Sequence, residues 1–186
     1  MKKIEYKNGL FQAVTYGVAM EKPHAVNIAK PFIVLAGKNL SVAVESHDEI
    51  PLIFACPGYL GAAKIDQKDA ISEAFKERLN AAIVQRNLDP KQIQVHLGPC
   101  LTFSHTVVDR AALKELIDRG YRAACKRTNG VDFLDVPVLV LTQLRELGIP
   151  MINIHIGDYD TFENPDLLYS ALRGDKENNL TVAVQK

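Results

Sequence analysis

Residues 52–61 read Leu52-Ile53-Phe54-Ala55-Cys56-Pro57-Gly58-Tyr59-Leu60-Gly61, and this stretch decides the fold. Its first half is a short continuous apolar run, which is typical of a buried strand. Pro57 and the two glycines end that run, and glycine permits the tight backbone turn that follows. The stretch therefore predicts a central strand that carries Cys56 to its end, at a corner that leads into a helix.

Short β-branched runs outside this stretch alternate with three helical patterns. This alternation is typical of a mixed α and β domain rather than a helix bundle or a sandwich. The sequence therefore predicts an α+β fold with strands over residues 11–16, 32–35, 40–45, 52–56, 92–97, 151–156 and 180–184.

The three helical patterns carry their own start and stop signals. Asp66 offers a carboxylate that can cap free backbone amides, and Pro137 suits the first turn of a helix. Asn129-Gly130 and Gly148-Ile149-Pro150 supply residues that end helices. The helices are therefore expected from about residue 66 to before residue 89, from 109 to 128 and from 135 to 147.

Length and charge limit the classes of function. The 186 residues fit one domain over 1–186, because no repeat or linker divides the chain. The 22 basic and 22 acidic residues give a formal net charge of zero. Such a chain has no overall field that attracts a polyanion, so nucleic-acid binding is not expected.

The sequence shows neither a membrane-spanning segment nor a secretion signal. No apolar run approaches the roughly 20 residues that cross a bilayer, and the first residues lack the apolar core of a signal peptide. The three cysteines, Cys56, Cys100 and Cys125, are an odd number without metal-finger spacing, which fits a reducing compartment. We therefore expect a cytoplasmic protein with no membrane partner.

A loop at a strand end is predicted after Gly98-Pro99, and it contains His105. An imidazole takes up a proton near neutral pH, so His105 and Cys56 would form a thiol–imidazole pair if the fold brought them together. In the alternative interpretation Cys56 is a small buried apolar side chain. Ser104 and His105 would then cap the helix near Asp109 or face water.

Four acidic residues crowd a loop around Asn164-Pro165. Carboxylates at this density can hold a hard cation, although their spacing does not match an EF-hand loop. The alternative is a solvated turn. The residues are Asp158, Asp160, Glu163 and Asp166.

Taken together, these segments resemble the YfiH-like family, which is also described as laccase-domain or multicopper polyphenol oxidase proteins. Residues 56–61 are similar to a His-Ala-Gly-Trp-Arg-Gly signature, and residues 98–108 resemble a Gly-Pro-Ala-Ile-Gly-Pro-Cys-Cys-Tyr-Glu-Val loop. Residues 134–150 and 160–173 resemble a Leu-Asp-Leu helix and a Cys-Thr-x-x-Asn-Pro segment. The resemblance covers about residues 32–184 and implies layered α/β/β/α architecture with mixed sheets and a shortened N-terminal region.

The resemblance also implies a metal site that this chain has altered. The family holds zinc through an N-terminal histidine, the cysteine of an Ala-Asp-Cys-Leu-Pro stretch and the histidine of the signature. The matching positions are expected to be Asn39 for the cysteine and Cys56 for the signature histidine, and Leu60 replaces an arginine. An amide is a poor substitute for a thiolate, so no metal is expected, and zinc or copper would require a rebuilt site.

Three functions follow as expectations. The resemblance implies an enzyme on a small metabolite, with a purine nucleoside that undergoes phosphorolysis or deamination as the expected substrate and with Cys56 and His105 as catalytic residues. Asn39, Tyr59 and Arg173 would bind the substrate. One alternative is a non-catalytic protein that serves in small-molecule binding or assembly, and another is a cysteine hydrolase that uses Cys56 and His105. The expected partner is a small-molecule ligand, and whether the chain forms a homo-oligomer is left undecided.

Overall fold

The computed structural model describes residues 4–18 and 32–186. The α-helices of these residues are α1 (Gln67–Ser72), α2 (Ala74–Gln85), α3 (Arg110–Asp118) and α4 (Val136–Glu146). The strands are β1 (Ile4–Lys7), β2 (Phe11–Tyr16), β3 (Phe32–Ala36), β4 (Ser41–Ser46), β5 (Ile50–Cys56), β6 (Tyr59–Ile65), β7 (Gln94–Leu97), β8 (Cys125–Thr128), β9 (Val131–Leu134), β10 (Ile154–Ile156) and β11 (Asn179–Gln185).

The strands form two main sheets and one hairpin. An antiparallel sheet has the order β1-β2-β11-β4, and a mixed sheet has the order β10-β7-β5-β6-β3. In the mixed sheet β10 and β7 are parallel, whereas the other neighbours are antiparallel. The strands β8 and β9 form a separate two-stranded sheet. The expected α+β class with mixed sheets is confirmed.

Strand β5 explains how the layers stack. Its alternate residues Leu52 and Phe54 join a core shared with all four helices, while Ile53 and Ala55 join a second core between the two sheets. Side chains alternate between the two faces of a strand, so β5 is buried on both faces. In the described part of the chain the layers are therefore helices, mixed sheet and antiparallel sheet.

The segment after β5 differs from its expected form. Pro57-Gly58 is the turn of a β-hairpin, with Cys56 paired to Tyr59, and Gly58 has a φ of 81°. The chain continues into β6 instead of a helix. The corner that leads into a helix lies after the end of β6, ten residues beyond Cys56, where Asp66 caps α1 as expected.

Helix α3, which corresponds to the second predicted helix, is shorter than the expected range of 109–128. It ends at Asp118, and Gly120 follows with a φ of 95°. Asn129 and Gly130 have φ values of 51° and 81° and form the turn between β8 and β9. Positive φ at both central residues suits the right-handed twist of a hairpin, which is why Asn-Gly favours this turn.

The other two predicted helices begin at their signals, but the first of them is divided in two. Asp135 caps α4, and Pro137 lies in its first turn. The first helical pattern is broken at Glu73, where a φ of 61° separates α1 from α2. None of the helices in residues 4–18 and 32–186 has the length and apolar character needed to cross a bilayer.

Candidate functional site

A cleft of about 190 Å³ lies where β5 begins and β6 ends. Its walls come from the start of β5, the β6–α1 corner and the loop that follows β7. The lining residues are Asp48, Glu49, Ile50, Ile65, Asp66, Gln67, Cys100, Leu101, Thr106 and Val136.

Asp48 joins three segments at this cleft. Its Oδ1 accepts a hydrogen bond of 2.6 Å from the Thr161 hydroxyl, and its Oδ2 accepts one of 2.9 Å from the Leu172 amide. Its carbonyl oxygen accepts a hydrogen bond from the Leu101 amide at 3.3 Å. The segment that follows β10 is therefore fastened to the start of β5.

Asp160 organises the acidic loop from within. Its Oδ2 accepts hydrogen bonds from the Thr102 amide at 2.7 Å and the Thr102 hydroxyl at 2.6 Å. Its Oδ1 accepts bonds from the amides of Phe162 and Glu163. Burial acts to raise the pKa of Asp160, but these hydrogen bonds outweigh it and the pKa is lowered. The carboxylate is thus satisfied by the protein itself.

The acidic loop does not form a cation site. Asp158, Glu163 and Asp166 are exposed, while Asp160 is buried. Within the described ranges no group of three or more His, Cys, Asp or Glu side chains has the geometry to hold a metal ion. The loop is therefore a turn that Asp160 holds together, as in the solvated-turn alternative.

His105 and Cys56 lie at opposite ends of β5. The His105 loop follows Gly98, whose amide donates to the Pro51 carbonyl oxygen at 2.9 Å. Cys56 is five residues further along the strand, which is ~16 Å at the usual rise. The expected thiol–imidazole pair is therefore not formed.

The surroundings of the Cys56 and His105 side chains also differ. Cys56 is buried, and burial raises the pKa of its thiol, so the thiolate that a nucleophile requires is disfavoured. His105 Nδ1 lies 3.1 Å from Asp160 Oδ2, and its ring packs on Phe162. His105 is beside the cleft but does not line it.

The predicted substrate-binding residues are divided between the same two ends. Asn39 is exposed with a φ of 55°, in a loop held to the β5–β6 turn by a 3.1 Å hydrogen bond from Gly37 to Gly58. Tyr59 is in that hairpin. Asn39, Tyr59 and Cys56 therefore share one end of the mixed sheet, and the 190 Å³ cleft lies at the other end.

Arg173 lies near the cleft, but its guanidinium is committed to the chain itself. Its Nη1 donates to the carbonyl oxygens of Thr161 at 2.8 Å and Phe162 at 2.7 Å. Its Nη2 donates to the Leu168 carbonyl oxygen and to Asp175. Arg173 thus fastens the loop around Asp160 and does not present its donors to the cleft.

Replacing Arg173 should therefore unfold this loop and lower stability. We expect Arg173→Met to reduce the free energy of unfolding by about 2 kcal/mol, since buried carbonyl groups would lose a charged donor. Urea denaturation followed by circular dichroism measures this loss. Arg145→Met, at an exposed position of α4, is the control and should change stability by less than about 0.5 kcal/mol. Equal losses in both variants would contradict the structural role.

Comparison with known proteins identifies the family. The sequence model of the family described as multi-copper polyphenol oxidoreductase laccase matches residues 34–181. The chain belongs to this laccase family. Two relatives from Staphylococcus epidermidis, both named purine nucleoside phosphorylase, are 28% identical over 130 residues, which is 66% of this chain. The matched region is 47% of each relative, so the chain spans about half the length of these curated proteins.

Solved structures share the fold of this family member. Bacillus licheniformis YfiH aligns with a TM-score of 0.75 at 18% identity, over 84% of this chain and 62% of that protein. Geobacillus stearothermophilus YlmD aligns with a TM-score of 0.70 at 20% identity, over 84% and 61%. Neisseria meningitidis NMB0706 aligns with a TM-score of 0.78 at 12% identity, over 100% and 99%. At these identities the matches establish the YfiH-like fold.

The structure favours a new correspondence for the metal positions that the resemblance implies. Asp48-Glu49-Ile50-Pro51 carries the aspartate and proline of Ala-Asp-Cys-Leu-Pro and leads directly into β5. On this correspondence Glu49 stands at the zinc-binding cysteine. The signature histidine was expected at the end of a strand, and Lys64 is the second-to-last residue of β6, the strand that leads to α1. Glu49 lines the cleft and is paired with Lys64, whereas Asn39 and Cys56 lie at the other end of the mixed sheet.

Glu49 and Lys64 form an ion pair at the edge of the cleft. Lys64 Nζ lies 3.0 Å from Glu49 Oε1, and Glu49 Oε2 accepts a 2.7 Å hydrogen bond from the His47 amide. Burial raises the pKa of Glu49, but the His47 amide and Lys64 outweigh it, so the pKa is lowered. An ammonium group has no lone pair for a metal. The residues at these positions therefore do not fit zinc.

Sequence reasoning missed Asp48, Glu49 and Lys64. The Asp and Pro of residues 48–51 were a signal for the first two. Lys64 carries no such signal, because its place beside Glu49 depends on the pairing of β5 with β6.

Proposed function

We propose that this laccase-family chain binds a small polar metabolite, with a purine nucleoside as the first candidate, without metal-dependent chemistry. The observation that carries the proposal is the Glu49–Lys64 ion pair, 3.0 Å long, at the border of the cleft. The ion pair occupies the place where the family would put a thiolate and an imidazole. The cleft beside this ion pair can hold a ligand without a metal, which is why binding is proposed in place of metal-dependent chemistry.

The lining of the cleft supports a ligand with both apolar and polar parts. Ile50, Ile65 and Val136 supply apolar walls, while Asp48 and Gln67 supply polar groups. At 190 Å³ the cleft is smaller than the roughly 300 Å³ of common ligand sites, which favours one ring system with a polar substituent. The names of the Staphylococcus epidermidis relatives supply the nucleoside as the first ligand to test.

Nucleoside binding is tested with a variant that fills the cleft. We expect inosine to bind the full chain saturably in isothermal titration calorimetry, and Gln67→Trp to weaken this binding at least about 10-fold, because indole would occupy the cleft. Lys68→Trp is the matched control, since Lys68 is the next residue of α1 and does not line the cleft. Absence of saturable binding, or equal weakening in both variants, would contradict the proposal.

A second candidate function is metal-independent turnover of the nucleoside. The pair of His105 and Asp160 favours it, since a carboxylate at 3.1 Å can orient an imidazole for proton transfer beside the cleft. Release of hypoxanthine from inosine and phosphate that is lost in His105→Gln would establish this enzyme. Binding without base release supports the non-catalytic proposal instead.

A further inference from the structure

A second cavity, of about 310 Å³, lies between α3 and the β8–β9 hairpin. It shares no lining residue with the cleft at β5. Five of its nine lining residues are basic and one is acidic, whereas the whole chain has equal numbers of basic and acidic residues. Lys114, Lys126 and Arg127 are paired with Asp118, Asp135 and Asp132, so the surplus positive charge of this groove comes from Arg110 and Arg122. The basic residues are Arg110, Lys114, Arg122, Lys126 and Arg127.

The basic side chains differ in how far the protein uses them. Lys126 Nζ lies 3.6 Å from the centre of the Phe103 ring and 3.2 Å from Asp135 Oδ2. Arg122 is exposed, and it has no hydrogen bond or ion pair with another side chain in the described part of the structure. One cation is thus held in place by the fold, and another is free to meet an incoming anion.

The floor of the groove is apolar. Leu113 and Ile117 of α3 line it together with Cys125 of β8. Ile117 is 36% exposed, although it is a large apolar residue. Cationic rims above an apolar floor suit an anion that carries an apolar body, because bare phosphate would leave the floor in contact with water.

Asp132 adds an acceptor to the groove. It is only 7% exposed, and its Oδ1 has no hydrogen-bond partner in the described structure. Arg127 Nε lies 3.6 Å from that oxygen, which is an ion-pair distance. A buried acceptor without a donor is costly, so a ligand hydroxyl or N–H group would be favoured at this position.

The geometry points to a binding site for an organic phosphate that has an apolar ring system and hydroxyl donors, of the nucleotide type. The phosphate would meet Arg122 and the neighbouring cations, the ring would cover Leu113 and Ile117, and a hydroxyl would donate to Asp132. The volume of 310 Å³ is at the lower end of common small-molecule sites. The site is independent of the nucleoside cleft.

The test uses adenosine 5′-monophosphate as the probe and the full chain as the protein. We expect saturable binding in isothermal titration calorimetry, weakened at least about 10-fold by Arg122→Ala and by raising the salt concentration. Arg145→Ala is the matched control, because Arg145 is an exposed arginine outside the groove. It should bind the probe like the unchanged chain.

Three further measurements separate the parts of the inference. In the Gln67→Trp variant, whose nucleoside cleft is filled, adenosine alone and inorganic phosphate alone should each bind at least about 10-fold more weakly than the monophosphate. Gln67→Trp should leave monophosphate binding unchanged, so failure of the nucleoside cleft is distinguishable from failure of this groove. Equal binding of inorganic phosphate and the monophosphate, equal losses in Arg122→Ala and Arg145→Ala, or no binding at all would overturn the inference.

Discussion

Gly61→Ala is expected to destabilise this protein by about 3 kcal/mol, near the upper end of overpacking effects. Gly61 of β6 pairs directly with Phe54 of β5, and a Cβ atom at Gly61 would overlap the Phe54 ring carbons. The ring has no free space to move into, since Phe54 is fully buried and stacks on Phe32. Urea denaturation followed by circular dichroism measures the loss. Gly9→Ala is the control, because its Cβ would meet no atom within 4 Å.

A double-mutant cycle tests whether the Phe54 ring is the cause. Phe54→Leu alone should cost about 1–2 kcal/mol through lost burial. In the Phe54→Leu background, Gly61→Ala should cost at least about 1 kcal/mol less than it does in the unchanged chain, because the smaller side chain leaves room for the methyl group. Additive losses would show that Gly61 is required for another reason.

The same contact explains why the sequence predicted β5 but not β6. Apolar runs predict buried strands well, and β5 lies where its run was found. Residues 61–63 are Gly61-Ala62-Ala63, and these residue types are depleted in strands. Gly61 is needed because the aromatic ring of Phe54 from the neighbouring strand covers it. Local propensity cannot report such a partner.

Asn129-Gly130 shows a different cause of error. The dipeptide suits both the end of a helix and a two-residue hairpin, since both need residues in the left-handed region. The apolar pattern before it favoured a long helix. Gly120 ends α3 ten residues earlier, with a φ of 95°. Because α3 already ends before Gly120, Asn129-Gly130 forms the β8–β9 hairpin turn and not the end of a helix.

The position of the candidate site follows from the β5–β6 hairpin. In the antiparallel hairpin, paired residues lie at equal sequence distances from the Pro57-Gly58 turn. Cys56 therefore pairs with Tyr59, and Pro51 pairs with Lys64. This register brings Glu49 to Lys64 across fifteen residues of sequence. The segments after β7 and β10 reach the same end only through the order of the sheet, so their contacts with Asp48 could not be deduced from spacing.

His96 is expected to make this protein lose stability as the pH falls from about 6.5. Burial, and secondly the neighbouring His155, lower the pKa of His96 to about 3. Its imidazole is therefore neutral in the folded state, whereas in the unfolded chain it binds a proton below about pH 6.5. Because the unfolded state then binds more protons, stability falls with decreasing pH, at up to about 1.4 kcal/mol per pH unit. The loss from pH 6.5 to 4.5 approaches about 2–3 kcal/mol.

This pH window separates His96 from the carboxylates. Glu49, Glu73 and Asp160 have lowered pKa values, so their contributions are lost only as the pH falls below about 4.5. Denaturation between pH 6.5 and 4.5 should therefore show a shallower pH dependence in His96→Phe, whose ring can still stack on Tyr6 as the imidazole does at 4.6 Å.

The exposed partner supplies the control for this pH dependence. His155 Nδ1 lies 3.0 Å from His96 Nδ1, and one imidazole must donate while the other accepts. In His155→Phe, His96 stays buried, and burial is the larger cause of its lowered pKa. This variant should keep most of the pH dependence. A shallower dependence in His155→Phe but not in His96→Phe would show that the titrating group is the exposed imidazole, and that burial of His96 does not control acid stability.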